Sequence, residues 1–134
     1  MNMMKIEEIK HPELKNHINM MYMHGENQNQ EAIEKTENTI KDYIKDKYFI
    51  ISIENDEPVK IPYANDGEYL VPLFTDALEY EKGMDYFKLN EMDANKGYII
   101  EKLDYFKKLK EDPNFLGYIV NIARVSYILN IAIL

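Results

Sequence analysis

Apolar residues in the first third of the chain recur at the spacing of amphipathic helices. Pro12 starts one such pattern, which continues through Leu14 and Ile18. Proline suits the first turn of a helix, and a spacing of three or four residues places side chains on one face. After the polar segment 26–30, a second pattern runs from 33 to 47. Both predict helices that bury one apolar stripe and leave their charged side in water.

From Tyr48 the pattern changes to that of β-strands. The apolar run 48–53 predicts a strand buried on both faces, and the alternation at 59–63 predicts a half-exposed strand. A turn that contains Gly67 then leads into a third strand at 68–74. Together they predict an antiparallel meander. Because Pro72 has no amide hydrogen to donate, we expect it on an edge strand or at a bulge.

The second half of the chain begins with the signature of a capped helix. Asp76 is suited to cap its start, Glu79 lies three residues later where it would complete a capping box, and Gly83 is expected to end it. The remaining pattern predicts a strand, a helix and two strands, at 86–92, 99–109, 116–121 and 126–133.

In chain order these elements are α-α-β-β-β-α-β-α-β-β. A meander followed by alternating helices and strands predicts an α/β fold of the mixed α+β kind, with a mixed, mostly antiparallel sheet and helices packed on it. The length of 134 residues fits a single domain over 1–134. Within it we expect a helical lead-in at 11–46 and the sheet with its helices at 47–134.

The charge and the composition of the chain exclude several classes of function. Sixteen basic residues against 24 acidic ones give a formal net charge of −8, and Arg124 is the single arginine, so no nucleic-acid partner is expected. The absence of cysteine excludes disulfides and thiol chemistry and fits a reducing cytosol. No export signal or membrane span is expected, because the apolar segment 118–134 is short, interrupted by polar residues and rich in β-branched ones. We therefore expect a cytoplasmic protein.

Residues that could support catalysis or cofactor binding are few. The three histidines, at 11, 17 and 24, lack the spacing of three or four that helical metal ligands need, so no metal is expected. All five glycines are isolated, which excludes a known phosphate loop, and no cofactor is predicted. Asp76 is better explained as a helix cap than as a catalytic acid, and Thr75 has no base beside it. No enzyme activity is expected.

Several short motifs together resemble the SseB family, named for enhanced serine sensitivity. The sharpest is VPLFTD at 71–76, a strand that leads into a short helix. His-Pro-Glu-Leu at 11–14, the turn at 66–67 and the run GYIVN at 117–121 agree with it. The chain departs from the family pattern at Ile122, where the family often has proline. The resemblance implies an α/β domain of bacterial or archaeal cytosol with a poorly defined molecular activity, and it supplies no catalytic residues.

From these observations we expect a non-enzymatic protein-interaction module. Its candidate partner-binding residues lie where the VPLFTD strand leads into the following helix and in the turn that begins at 121. They are Pro72, Phe74, Thr75, Asp76, Asn121 and Arg124. One alternative is a small ligand-binding protein or hydrolase that uses the carboxylates near Asp76. Another is an immunity or inhibitor protein that covers the basic active site of a toxin. The pattern also predicts a homodimer through the apolar final strand, because an uncovered edge strand favours association.

Overall fold

The computed structural model describes residues 4–92 and 97–134. This part of the chain forms three α-helices: α1 (Pro12–Glu26), α2 (Gln30–Ile44) and α3 (Ala77–Leu89). It also forms seven strands: β1 (Tyr48–Glu54), β2 (Glu57–Pro58), β3 (Ile61–Pro62), β4 (Tyr69–Phe74), β5 (Tyr98–Lys102), β6 (Phe115–Val120) and β7 (Tyr127–Asn130). Short 3₁₀ helices occupy Ile6–Glu8, Lys107–Glu111 and Ile131–Ile133. No helix within this part of the chain is long and apolar enough to cross a membrane.

The strands build one mixed sheet. Its main order is β2-β1-β4-β6-β7, while β3 also pairs with β4 and β5 pairs with β1. The β4–β6 pair is parallel, and the other strand pairs are antiparallel. The predicted fold class is therefore confirmed: a mixed, mostly antiparallel sheet with helices on it. Because β4 and β6 are parallel neighbours, their carboxyl ends lie side by side.

Alternating side chains along the sheet divide the core into two clusters. Phe49 and Ile51 of β1 belong to the cluster that includes Leu14 of α1 and Ile40 of α2. Ile50, between them, belongs to the other cluster, which includes Phe74 of β4 and Phe87 of α3. Successive strand residues point to opposite faces of a sheet. The first two helices therefore cover one face and α3 covers the other.

Helix α3 is longer than its sequence signals predicted. It continues past Gly83 to Leu89, so the predictions that Gly83 ends the helix and that 86–92 forms a strand were wrong. Glu79, Gly83 and Phe87, spaced by four, are all buried on one face of the helix. A Cβ at Gly83 would lie 2.6 Å from Cζ of Phe74, so this glycine lets the helix approach the sheet closely.

The prediction of a helix at 99–109 was also wrong. The segment forms β5, a turn and the 3₁₀ helix Lys107–Glu111. Five consecutive residues of β5 pair with β1, from Tyr98 opposite Ser52 to Lys102 opposite Tyr48. The helix-like apolar spacing arises because Ile99, Leu103, Phe106 and Leu109 pack in one core cluster, while Ile100 packs in the other. Pairing with β1 decides the conformation, since strand propensity depends strongly on tertiary contacts.

Of the two positions expected for Pro72, the edge strand is wrong, whereas a β-bulge or irregularity does occur directly before it, where the β4–β6 register shifts between Tyr69 and Val71. Pro72 is in β4, between β1 and β6, and its side chain is buried. Pairs of β4 with β3 end at Leu70, and pairs with β1 begin at Leu73, so Pro72 occupies a gap in that ladder. A missing amide donor is tolerated at such a gap. Of the half-exposed strand predicted at 59–63, only Ile61–Pro62 form a strand, β3, and β1 pairs directly with β4.

Candidate functional site

Polar and charged side chains meet where β4 and β6 end. They come from α1, from the junction of β4 with α3 and from the loop after β6. In open α/β sheets, ligands commonly bind beyond the carboxyl ends of the strands. We call this cluster the polar corner: Lys15, Thr75, Asp76, Glu79, Asn121 and Arg124.

Asn121 fastens the two strand ends together. Its Oδ1 accepts a hydrogen bond from the backbone N–H of Thr75 at 3.1 Å, and its Nδ2 donates to Thr75 Oγ1 at 3.0 Å. Its own backbone N–H donates to the carbonyl of Leu73 at 3.0 Å. Asn121 has a φ of +53°, a left-handed conformation that asparagine adopts more readily than most residues. The residue therefore ends β6, starts the loop and satisfies buried polar groups of β4.

Asp76 caps α3 and also faces α1. Its Oδ1 accepts from the backbone N–H of Glu79 at 3.0 Å, as the sequence predicted for the N-cap. Its Oδ2 accepts from Thr75 Oγ1 at 3.1 Å and lies 3.4 Å from Nζ of Lys15. Burial alone would raise the pKa of Asp76, but the Glu79 N–H, the Lys15 charge and the Thr75 hydroxyl outweigh it and hold that pKa below its ordinary value.

Glu79 is the buried charge of the polar corner. Its side chain is 1 % exposed, and its Oε1 lies 2.8 Å from Nε of Arg124 and 3.7 Å from Nζ of Lys15. It does not complete a capping box, because its carboxylate is directed to these two cations. Among the described residues its Oε2 has no hydrogen-bond partner. A buried carboxylate is costly unless it is paired, so the two cations are needed to hold it there.

Arg124 connects this buried charge to the surface. Its side chain is 48 % exposed, and its Nε donates to Glu79. The loop that carries it is closed by hydrogen bonds from the backbone N–H groups of Arg124 and Ser126 to the carbonyl of Asn121. Tyr22 of α1 donates its hydroxyl to the carbonyl of Val125 at 2.8 Å. These contacts hold the backbone of Arg124 in a fixed position.

The structure brings four of the six candidate partner-binding residues together, and of these four Thr75 and Asn121 are buried while Asp76 and Arg124 reach the surface. Thr75, Asp76, Asn121 and Arg124 belong to the polar corner. Pro72 and Phe74 are buried in β4, and the Phe74 ring packs against α3. These two residues therefore position the corner from within and are not accessible to a partner in this conformation.

Two members of the polar corner were not among the candidate site residues. Lys15 lies on α1, and its sequence context shows only a charged residue on a helix. Glu79 was interpreted as the residue that completes the capping box, with acid–base catalysis beside Asp76 as the alternative. Its spacing of four from Gly83 and Phe87 is the sequence signal that would have placed it on the buried face of α3.

The N-terminal histidines have no common site. His11 is buried, and its Nε2 lies 2.6 Å from the carbonyl of Tyr48 while its Nδ1 lies 2.7 Å from the hydroxyl of Tyr43. A carbonyl can only accept, so Nε2 carries the hydrogen and Nδ1 accepts from Tyr43. Burial lowers the pKa of His11. Among residues 4–92 and 97–134, no three histidine or carboxylate side chains are placed to hold a metal ion.

Comparison of the chain with models of known protein families, with curated proteins and with solved structures finds no match. The function of the polar corner has to be inferred from its own geometry. That geometry combines a buried carboxylate, two cations that reach solvent and a capped helix terminus.

Proposed function

We propose that the polar corner is a protein-binding face, and that the chain is a non-enzymatic interaction module of the SseB-like kind that works in the cytosol. The observation that carries this proposal is the state of Arg124. Its Nε is held by buried Glu79 at 2.8 Å while nearly half of its side chain is exposed. Arginine presents donors in a rigid planar fork, so fixing one edge leaves the other directed outward.

An arginine held in this way is suited to a partner's carboxylate. It can form paired hydrogen bonds with a carboxylate, and little side-chain freedom remains to be lost on binding. Arginine is also among the residues that contribute most to binding energy in protein interfaces. The chain carries a net charge of −8, which makes Arg124 a local exception on an acidic protein.

An exposed apolar side chain directly precedes Glu79 in the first turn of α3. Leu78 is in the first turn of α3, next to Glu79, and is 52 % exposed. Interfaces combine a desolvated apolar contact with a polar rim. The partner favoured by this surface presents an acidic side chain to Arg124 and an apolar side chain to Leu78.

The hydrolase alternative is less favoured by the same geometry. Asp76 is engaged by the backbone N–H of Glu79 and by Thr75, and Glu79 is ion-paired with Arg124. Both carboxylates therefore have structural roles, and a general acid or base needs freedom to exchange a proton with substrate.

The experiment compares matched variants of α3. Immobilised wild type, Leu78→Glu and Leu89→Glu are used to capture proteins from extract of the source cells, and captured proteins are identified by mass spectrometry. Leu89 is 84 % exposed at the far end of the same helix, so both variants replace an exposed leucine and add one negative charge. Melting curves check that each variant is folded.

We expect a partner that wild type and Leu89→Glu retain and that Leu78→Glu loses. Titration of the purified partner by calorimetry should then show at least ten-fold weaker binding to Leu78→Glu and to Arg124→Lys, which keeps the charge and removes the planar fork. A partner retained equally by all four proteins, or no specific partner at all, would contradict the proposal.

A further inference from the structure

A cleft lies away from the polar corner, between the last turns of α2 and the 3₁₀ helix Lys107–Glu111. Its volume is about 490 Å³, which is in the range of small-molecule sites. None of the six residues of the polar corner lines it. It is therefore independent of the proposed protein-binding face.

The inner walls of the cleft are apolar. Phe115 and Tyr118 of β6, Leu109 of the 3₁₀ helix and Ile44 of α2 are buried residues that line it, and Leu103 and Phe106 line it as half-buried residues. The Tyr118 hydroxyl donates to the carbonyl of Leu103 at 2.9 Å. Because that donor is already used, these walls favour an apolar body over a polar one such as a sugar or a base.

The outer part of the cleft is basic. Asp104 is the single acidic side chain among the residues that line the cleft, against four lysines: Lys41, Lys45, Lys107 and Lys110. This grouping stands out in a chain whose net charge is −8. A concentration of one charge sign beside low-dielectric walls attracts the opposite charge.

Two of the four lysines already have partners. Lys45 lies 3.3 Å from Asp42, and Lys110 donates to the carbonyl of Leu134 at 2.8 Å. Lys41 on α2 and Lys107 on the 3₁₀ helix have no ion-pair or hydrogen-bond partner within the described part of the chain. They extend from opposite sides of the cleft and are the cations available to a ligand.

We infer that this cleft binds a medium-chain fatty acid. The carboxylate lies between Lys41 and Lys107, and the hydrocarbon chain packs against Leu103, Phe106 and Phe115. A flexible hydrocarbon chain suits walls built from both aliphatic and aromatic residues. A single carboxylate suits two ammonium groups, because each acts as a point charge that can approach either carboxylate oxygen.

The test is calorimetric titration of the full chain with octanoate, decanoate and dodecanoate, each below its micelle concentration, and with decanol as the uncharged analogue. Each added methylene should tighten binding about four-fold until the cleft is filled. Lys41→Gln/Lys107→Gln should weaken decanoate binding about ten-fold. The matched control is Lys82→Gln/Lys88→Gln, which removes the same charge from exposed positions on α3 and should bind like wild type.

A second measurement locates the ligand without relying on variants. A spin-labelled decanoate should broaden the amide NMR signals of 103–110 and leave those of the polar corner sharp. Three results would overturn the inference: no saturable binding of decanoate at millimolar concentration, equal affinity for decanol and decanoate, or binding confined to vesicles of phosphatidylglycerol with none to the free fatty acid. Equal losses in the two double-lysine variants would overturn it as well.

Discussion

Asn121 and Thr75 hold the ends of two parallel strands together by a reciprocal pair of hydrogen bonds, one to the backbone and one to the hydroxyl. Asn121→Asp keeps the acceptor and the shape, removes the Nδ2 donor and places a charge at a position that is 1 % exposed. We expect a loss of about 2 kcal/mol in the free energy of unfolding, because a buried polar group would be left without its partner.

Urea denaturation measures this loss. Asn130→Asp is the matched control, because Asn130 is exposed and uses its Oδ1 to accept from the backbone N–H of Ala132. It should change the free energy of unfolding by less than about 0.5 kcal/mol. Equal effects of the two substitutions would show that the Asn121 donor contributes nothing.

Arg124→Gln tests how far the buried carboxylate depends on its partner. We expect a loss of about 1–2 kcal/mol in the free energy of unfolding, below the roughly 3–5 kcal/mol typical of a fully buried pair, because Arg124 is half exposed and Lys15 remains near Glu79. The double variant Glu79→Gln/Arg124→Gln should lose less than the sum of the two single variants, since no buried charge is left. Additive losses in the cycle would refute the coupling.

The buried His11 should make the free energy of unfolding depend on pH. Its folded pKa lies below the ordinary value of 6.5, chiefly because burial disfavours the charged ring, so in this range the unfolded chain binds more protons than the folded one. The contribution of His11 to the free energy of unfolding is fully present above pH 6.5 and is lost as the pH falls through the folded pKa of this residue. Asp76, whose pKa is below its ordinary 3.8, loses its contribution only at lower pH.

Urea midpoints between pH 8 and pH 5 check this expectation. The wild type and His24→Gln should both lose stability as pH falls through this window. In His11→Gln that fall should be much smaller, although the variant starts from lower stability because Tyr43 and Tyr48 lose their partner. A His11→Gln curve parallel to the wild-type curve would assign the pH dependence to other groups.

Gly117→Ala and Gly25→Ala form a pair with opposite expected signs. Gly117 has a φ of +136°, and a Cβ there would lie 3.2 Å from Cα of Asn130 and closer still to the Leu129 carbonyl. We expect Gly117→Ala to lose at least about 2 kcal/mol or to fail to fold. Gly25, in α1 with no atom within 4 Å of an added Cβ, should gain roughly 0.5–1 kcal/mol on substitution by alanine. Melting temperatures of the two variants, compared with that of the wild type, test both expectations.

Local signals were enough where an element depends on its own residues. Pro12 marks the start of α1, Asp76 caps α3, and the apolar run at 48–53 falls within β1. Each of these signals acts within one turn of helix or within one strand. The residues that cause the local conformation are therefore neighbours in the sequence.

The segments 86–92 and 99–109 were misassigned because their conformations depend on distant partners. Phe87 continues a helix because it packs with Phe74 and Ile50 across the sheet, and Ile100 is in a strand because it pairs with Ile50. The same limit applies to the polar corner. Thr75 and Asp76 lie in the recognisable motif, whereas Lys15 reaches them only through the packing of α1, for which its neighbours in sequence give no signal.

The parallel pairing of β4 with β6 also has a consequence for folding kinetics. The chain from 75 to 114 must be placed before these strands can pair, and closing a long loop precedes any gain from its contacts. The polar corner, which joins Lys15, Asp76 and Arg124, can form only where these two strands are paired. In hydrogen exchange, the amides of Thr75 and Asn121 should open only with the whole sheet, so a binding face anchored on buried residues at two strand ends lasts as long as the entire fold.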